Sequence, residues 1–345
     1  MTDETLSSPE SVAILGSGSW GTALALVAAE TSPQVILWGR DPVAIDEIKT
    51  TRRNQRYLPD VELPDNVIPT TDLAAAANSG IILSVVPSRA TRGMMRALKA
   101  TGALSPDSVI VSCSKGIELD SGKTMCEIIS EELPNQPNGV LSGPSHAEEV
   151  GRKLATAMVV AATEPALAER LQTAFLAPWV RPYTSTDVVG LEWGGAVKNV
   201  FAIAAGIVDG LGLGDNAKAA LVTRGLAEMT RLGVALGGQR ETFQGLSGVG
   251  DLIATCYSIH SRNFRVGREL GSGRELEEIM GDMTMVAEGV PNTESIYKWA
   301  RKAGARTPVI DEVYGILYQG TPPLDALRSL LSRDPRPEAD DRIQD

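Results

Sequence analysis

The turn Gly16-Ser-Gly18-Ser-Trp20-Gly21 constrains this chain more than any other segment. It follows the apolar run Val12-Ala-Ile-Leu15 and opens a stretch of Thr, Ala, Leu and Val without a breaker. A short apolar run closed by glycine reads as a buried parallel strand, and the stretch after it reads as a helix. The three glycines then have separate uses. Gly16 permits the tight turn, Gly18 lets the backbone approach a pyrophosphate, and Gly21 lets the helix pack closely on the strand. A helix N-terminus at that point attracts the anion. The spacing alone is common, but at the head of a βαβ unit it is a dinucleotide-binding signature.

Val35-Ile-Leu-Trp38 reads as the second strand of that unit. The residues at its end, Gly39-Arg40-Asp41-Pro42, bear on the cofactor. An acid there bonds the ribose hydroxyls of NAD, whereas an arginine accommodates the 2′-phosphate of NADP. Arg40 comes first and favours NADP(H), Asp41 keeps NAD(H) open, and Arg40 could also be a solvated loop charge. Further strand candidates lie at 80–86, 108–113, 139–141 and 157–161, with helical stretches between them, as in a doubly wound α/β sheet. From about residue 191 no strand is convincing, and long Ala/Leu/Gly/Met segments carry a helical period. The expected organisation is a Rossmann-type α/β domain at 11–190 and an all-α substrate domain at 191–330. Residues 1–10 and 331–345 are expected to be disordered acidic tails.

With 345 residues the chain is long enough for two cores, and 43% hydrophobic with 22% charged residues is a globular composition. A net charge of −11 argues against a nucleic-acid partner, which needs clustered Lys and Arg. The three cysteines, Cys113, Cys126 and Cys256, form no CxxC pair, so a reducing compartment is expected. His146 and His260 have no ligand spacing, and no metal is expected. The polar N-terminus does not read as a signal peptide, and no uninterrupted apolar run of membrane-spanning length is evident. A cytosolic enzyme acting on a small molecule is the expected class, with no membrane insertion.

One segment resists a bland reading. Glu192-Trp-Gly-Gly-Ala-Val-Lys198-Asn199-Val-Phe-Ala-Ile is nearly all apolar, yet it carries a lysine. If it is helical, the neighbours of Lys198 one turn away are Gly194, Gly195, Phe201 and Ala202, and none can pair a charge. A lysine in apolar surroundings has its pKa pushed down and suits proton transfer near neutrality, unless it snorkels to the surface. Three other segments are dense in polar groups: Cys113-Ser114-Lys115-Gly116 after a strand, Ser142-Gly143-Pro144-Ser145-His146-Ala147 after another, and Gly250-Asp251 through Asn263. Read as one helix, the last places Asp251, Thr255 and Arg262 on one face.

These motifs together resemble the NAD(P)-dependent glycerol-3-phosphate dehydrogenases of bacterial type. The matching runs are Gly16-Ser-Gly-Ser-Trp-Gly-Thr-Ala, Ser114-Lys-Gly-Ile-Glu, Leu141-Ser-Gly-Pro-Ser-His-Ala-Glu-Glu-Val, Val197-Lys-Asn-Val, Gly248-Val-Gly-Asp-Leu, Ser261-Arg-Asn and Glu288-Gly-Val. They span roughly residues 12–290 in the family's order. The resemblance implies that Lys198 is the general acid–base, organised by Asp251 and Asn199, and that Lys115 contacts substrate near the nicotinamide; Thr255, on the face of Asp251, is a further catalytic candidate. It implies that Ser261, Arg262 and Asn263 hold a substrate phosphate, with Gly143 and Ser145 on the substrate side. Ser19, Trp20, Arg40, Ala147, Val286 and Glu288 match cofactor contacts, beside Lys115, Arg262 and the three glycines. Trp193 departs from the pattern, which has a smaller or aliphatic residue there.

A homodimer is the assembly expected from such folds. The family's usual role implies reduction of dihydroxyacetone phosphate to supply phospholipid synthesis. Two rivals stand beside this reading: a two-domain dehydrogenase acting on β-hydroxyacids, and a dinucleotide-sensing regulator without turnover. The regulator has no need of Lys198, Asp251 and Thr255 together.

Overall fold

The computed structural model describes residues 10–283, 286–335 and 337–338. Ten strands occur among them: β1 (Val12–Leu15), β2 (Val35–Trp38), β3 (Arg53–Asn54), β4 (Leu58–Glu62), β5 (Val67–Thr70), β6 (Ile81–Ser84), β7 (Val109–Ser112), β8 (Asn138–Ser142), β9 (Thr156–Ala161) and β10 (Val180–Ser185). Eight of them form one sheet in the order β10-β9-β8-β7-β6-β1-β2-β5, while β3 and β4 make a separate antiparallel ribbon. Strands β5 to β8 of that order run parallel, and β9 pairs antiparallel with β8. β1, β6 and β7 are buried on both faces, as central parallel strands are. The connection order reverses at β1, so a crevice for ligand opens at the carboxyl ends of β1 and β6.

The six strands expected from apolar runs are present within two residues at each end. The ribbon and both edge strands of the sheet were not legible. β5 carries Pro69 and β10 carries Pro182, which mask a strand pattern but are tolerated at an edge, where one row of amides has no ladder partner.

The helical half opens with the helix Val188–Gly210, three residues ahead of the boundary expected at 191. Every residue at 190–208 is buried, and the second hydrophobic core is built around this helix. By length and composition it could cross a membrane, although Lys198 interrupts its apolar run, and its apolar window is wholly buried in the protein. The helix Arg262–Gly271 lies across it at backbone contact. A Cβ on Gly206 would come 2.1 Å from the Phe264 carbonyl oxygen, and one on Gly267 would come 1.9 Å from that of Ile203.

Of the expected tails, residues 1–9, 336 and 339–345 lie outside the described residues. Glu10, placed in the N-terminal tail by its sequence, is instead held by an ion pair with Arg170 at 2.7 Å. Leu331 closes the helix Pro323–Leu331 rather than starting a tail.

Candidate active site

β1 passes through the glycine turn into the helix Ser19–Ala29. Gly16 has φ +125°, which side chains avoid, and a Cβ on it would press on the Val85 carbonyl at 3.0 Å. A Cβ on Gly21 would lie 1.8 Å from the Gly16 carbonyl oxygen. The fold itself therefore requires these two glycines. Gly18 differs: its φ is −77°, and a Cβ there would meet nothing within 4 Å. No side chain caps the helix behind it and no acid stands in the first turn, so the positive helix end is uncompensated. This combination fits a dinucleotide pyrophosphate. Ser19 and Trp20 form the half-buried first turn, Trp20 packing on the core. Arg40 is exposed just past β2, while Asp41 caps the next helix, its Oδ1 accepting from the Val43 amide at 3.0 Å.

Across the crevice Lys198 is 5% exposed, which excludes the snorkelling reading. Its partner comes from another helix, Asp251–Tyr257. The Lys198 ammonium donates to Asp251 Oδ1, and to Thr255 Oγ1 at 2.7 Å. Thr255 Oγ1 in turn lies 2.6 Å from the Asp251 carbonyl oxygen one turn back. On the other side of the carboxylate, Lys115 donates to Asp251 Oδ2 at 2.7 Å and to the Gly143 carbonyl at 2.8 Å. Burial pushes Lys198 down to about 7; Asp251 opposes this and the Lys115 charge adds to it. Burial alone would raise the Asp251 carboxyl, but the two ammonium groups outweigh it and hold it below its ordinary value. A lysine so placed exchanges a proton at neutral pH, next to a fixed carboxylate.

Asn199 extends the arrangement. It donates to the carbonyls of Lys115 and Gly195 at 3.4 Å, and accepts at Oδ1 from Asn263 at 2.9 Å. Asn263 Oδ1 accepts from the Gly289 amide at 2.9 Å. Ser261 is the N-cap of the helix Arg262–Gly271, its Oγ accepting from the Phe264 amide at 3.2 Å. Burial pushes the half-buried Arg262 guanidinium down from its ordinary value, against the pull of Glu288 and Glu148. A helix N-terminus with a desolvated arginine in its first turn is able to receive an anion.

Gly143, with φ +121°, turns the chain at the end of β8, and Ser145 Oγ donates to its carbonyl at 3.0 Å. Ala147 is buried at the start of the next short helix, and Val286 is half-buried. Glu288 reaches over to the loop after β6, where its carboxylate accepts from the Ser88 amide at 3.2 Å and the Ser88 hydroxyl at 2.6 Å.

One expectation is corrected. Arg262 does not share a helix face with Asp251 and Thr255, because the helix stops at Tyr257 and Ser261 caps a new one. Two residues close to the site were not flagged by sequence. Ser88 is the partner of Glu288, and Asn292, 1% exposed, packs against Gly116, where a Cβ would meet its Nδ2 at 2.6 Å. Nothing local marks either, since their neighbours are distant in the chain. His146 and His260, far apart in sequence, bring their rings to 6.0 Å, but among the described residues no His, Cys, Asp and Glu group suited to a metal forms.

A dinucleotide cradle facing a buried lysine held near neutrality is the construction of a nicotinamide-dependent oxidoreductase. Family models named NAD-dependent glycerol-3-phosphate dehydrogenase N-terminus and C-terminus match residues 11–168 and 187–328. The chain belongs to that family. The glycerol-3-phosphate dehydrogenase [NAD(P)+] of Moorella thermoacetica is 48% identical over 325 residues, covering 94% of this chain and 96% of that protein. A glycerol-3-phosphate dehydrogenase crystal structure from Coxiella burnetii superposes with a TM-score of 0.89 at 38% identity, covering 94% and 99% of the two chains. A ketopantoate reductase from Ralstonia eutropha, 19% identical with a TM-score of 0.58 over 92% and 99% of the chains, shares the fold alone.

Proposed function

We propose that this protein interconverts sn-glycerol 3-phosphate and dihydroxyacetone phosphate, with Lys198 as the general acid–base and NADP(H) as the preferred carrier. The observation that carries the reading is Lys198 itself, buried, pushed down to about 7 and bonded to Asp251 and Thr255. A bound nicotinamide supplies or accepts the hydride. In reduction, the Lys198 ammonium gives its proton to the ketone oxygen as that oxygen becomes an alkoxide, and is left as the amine. In oxidation, the neutral amine takes the hydroxyl proton. Asp251 and Thr255 hold Nζ in one place throughout, and Asn199 ties Lys198's helix to the Lys115 loop. Arg262, Ser261 and Asn263 receive the substrate phosphate at their helix N-terminus, with Lys115 on the nicotinamide side.

Two features favour NADP(H) over NAD(H). Asp41, the acid that would bond the ribose, is engaged as a helix cap, whereas Arg40 is exposed beside it. The three buried free thiols suit a reducing cytosol, and the assembly we propose is a homodimer. In the reductive direction the product would feed phospholipid synthesis.

Assays of dihydroxyacetone phosphate reduction and glycerol 3-phosphate oxidation, each with both nucleotides and across pH 5 to 9 (roughly two units either side of the Lys198 midpoint), test the reading. The two limbs should have opposite signs. Reduction needs the protonated lysine and should fall as pH rises through about 7, while oxidation needs the amine and should rise through the same point. No turnover of either substrate, with clear nucleotide binding, would remove the assignment and favour a hydroxyacid substrate or a sensor.

A second test concerns the turn. Because a Cβ at position 18 would meet nothing within 4 Å, Gly18→Val should keep the wild-type melting temperature yet weaken both nucleotides at least ~100-fold by blocking the backbone approach. Nucleotide affinity within a few fold of wild type would mean that the pyrophosphate lies elsewhere.

A further inference from the structure

We infer that Asn54 is a positioning residue for the glycine turn, fixing the peptide planes whose N–H groups face the cofactor pyrophosphate. The inference rests on the reading that the turn at residues 16–21 holds that pyrophosphate.

Asn54 belongs to the β3–β4 ribbon, outside the main sheet, and is 3% exposed. Its Nδ2 donates to the Ser17 carbonyl oxygen and to Thr22 Oγ1, both at 2.8 Å. Thr22 Oγ1 donates onward to the Gly18 carbonyl at 2.9 Å. The other end of the amide faces the ribbon, where Oδ1 accepts from the Tyr57 amide at 3.3 Å. The polarity is unambiguous, since a carbonyl oxygen can only accept, so the nitrogen of Asn54 must face Ser17. Both donor hydrogens are thereby committed to the turn, one directly and one through the threonine.

A trans peptide sets the consequence. Its C=O and N–H point in opposite directions. Anchoring the Ser17 carbonyl on the ribbon side aims the Gly18 N–H away from the ribbon. The Gly18 carbonyl is held by the Thr22 amide as well as by its hydroxyl, each at 2.9 Å, which aims the Ser19 N–H the same way, so Asn54 acts chiefly on the Ser17–Gly18 peptide. These are N–H groups at a helix start that no side chain caps. Without the anchor, glycine at position 18 lets the Ser17–Gly18 peptide rotate, because glycine has little steric preference. The donors at the helix start would then be present but not aimed. Affinity, rather than folding, is the property that the asparagine controls.

The experiment compares wild type with Asn54→Ala, Thr22→Val and Thr22→Ser. Kd for NADPH and NADH is measured by direct titration, KM and kcat by steady-state assay, Ki for adenosine 2′-monophosphate by competition, and stability by thermal melting. Asn54→Ala should raise Kd and KM for both nucleotides about tenfold or more, the scale of one or two lost hydrogen bonds. At saturating nucleotide, kcat and the KM for dihydroxyacetone phosphate should stay within about twofold. Ki for adenosine 2′-monophosphate, which has no pyrophosphate, should not move. Thr22→Val should give a smaller rise in the same direction, and Thr22→Ser, which keeps the hydroxyl, should restore wild-type values.

Unchanged nucleotide Kd in Asn54→Ala would overturn the inference. So would parallel losses in kcat, substrate KM and adenosine 2′-monophosphate binding, which mark a general structural role. Should Asn54→Ala fail to fold, the Thr22 pair decides by the same criteria. Failure of the underlying reading has a different signature, because Gly18→Val would then also bind NADPH normally.

Discussion

Lys198→Met should turn over at least ~100-fold more slowly than wild type, and as much as ~10⁴-fold, while binding NADPH within a few fold of normal. Methionine fills the stem of the lysine without the proton, so packing around Val197, Val200 and Phe201 is kept. Nucleotide binding is spared because the glycine turn belongs to the sheet, not to this helix. Two further signatures follow from the downward-shifted pKa. The limb near pH 7 in both rate profiles should vanish. Stability should also lose a pH slope: between about 7 and 10.5 the folded wild type binds fewer protons than the unfolded chain at this position, so wild-type stability rises with pH across that window. Stopped-flow single turnovers, fluorescence titration and denaturation at several pH values measure these. A variant that retains more than about a tenth of wild-type kcat would remove Lys198 from the chemistry, since a positioned acid–base group contributes far more.

Asp251→Asn should cost both activity and stability. The carboxylate, 2% exposed, lies between two ammonium groups, and removing its charge leaves the buried Lys198 facing the half-buried Lys115 with no counter-charge. Breaking a buried pair from one side costs about 3–5 kcal/mol, far above the roughly 0–1 kcal/mol of exposed pairs such as Lys49–Asp46. The lysine should also lose its proton more readily, since Asp251 is the group that opposes its downward shift. The rate limb should therefore move below pH 7 in both directions of reaction. The acid side of the stability profile should change too. A carboxyl held below 3.8 contributes stability above that value and loses it as pH falls through the lower folded value, and the asparagine variant should lack that acid-sensitive component. Urea unfolding at several pH values, together with the rate profile, measures both effects. A stability loss under about 1 kcal/mol with an unmoved limb would show that the carboxylate bears neither load.

What the sequence disclosed depended on whether a signal was local. The glycine turn and the apolar runs of β1, β2 and β6–β9 are consecutive residues whose own chemistry dictates their conformation. Lys198 was conspicuous because its helical neighbours could not satisfy it. Its partner was not local: Asp251 stood out in a polar segment, but only the family resemblance linked it to Lys198, and the fold brings the two together across 53 residues. Asn54 had no signal at all, since its bonds run to Ser17 and Thr22 across 37 and 32 residues. The edge strands β5 and β10 were hidden by proline, whose acceptability depends on having a neighbour on one side only, a property of the finished sheet. The break before Ser261 lacks glycine or proline to announce it, and Ser258-Ile-His-Ser261 passes for continuous helix until the cap at Ser261 is recognised.

The backbone contact at Gly206 and Gly267 bears on the length of the proposed substrate. One of the crossed helices carries Lys198 and the other begins at the proposed phosphate pocket, and at the two glycines no side chain lies between them to yield. On that proposal the spacing of the two helices, and with it the reach from anion to reacting oxygen, is held there by main-chain thickness, as the jaws of a fixed-gap gauge are set by the metal between them. Selectivity for how many carbons separate phosphate from carbonyl would then depend on positions that never touch the molecule being measured.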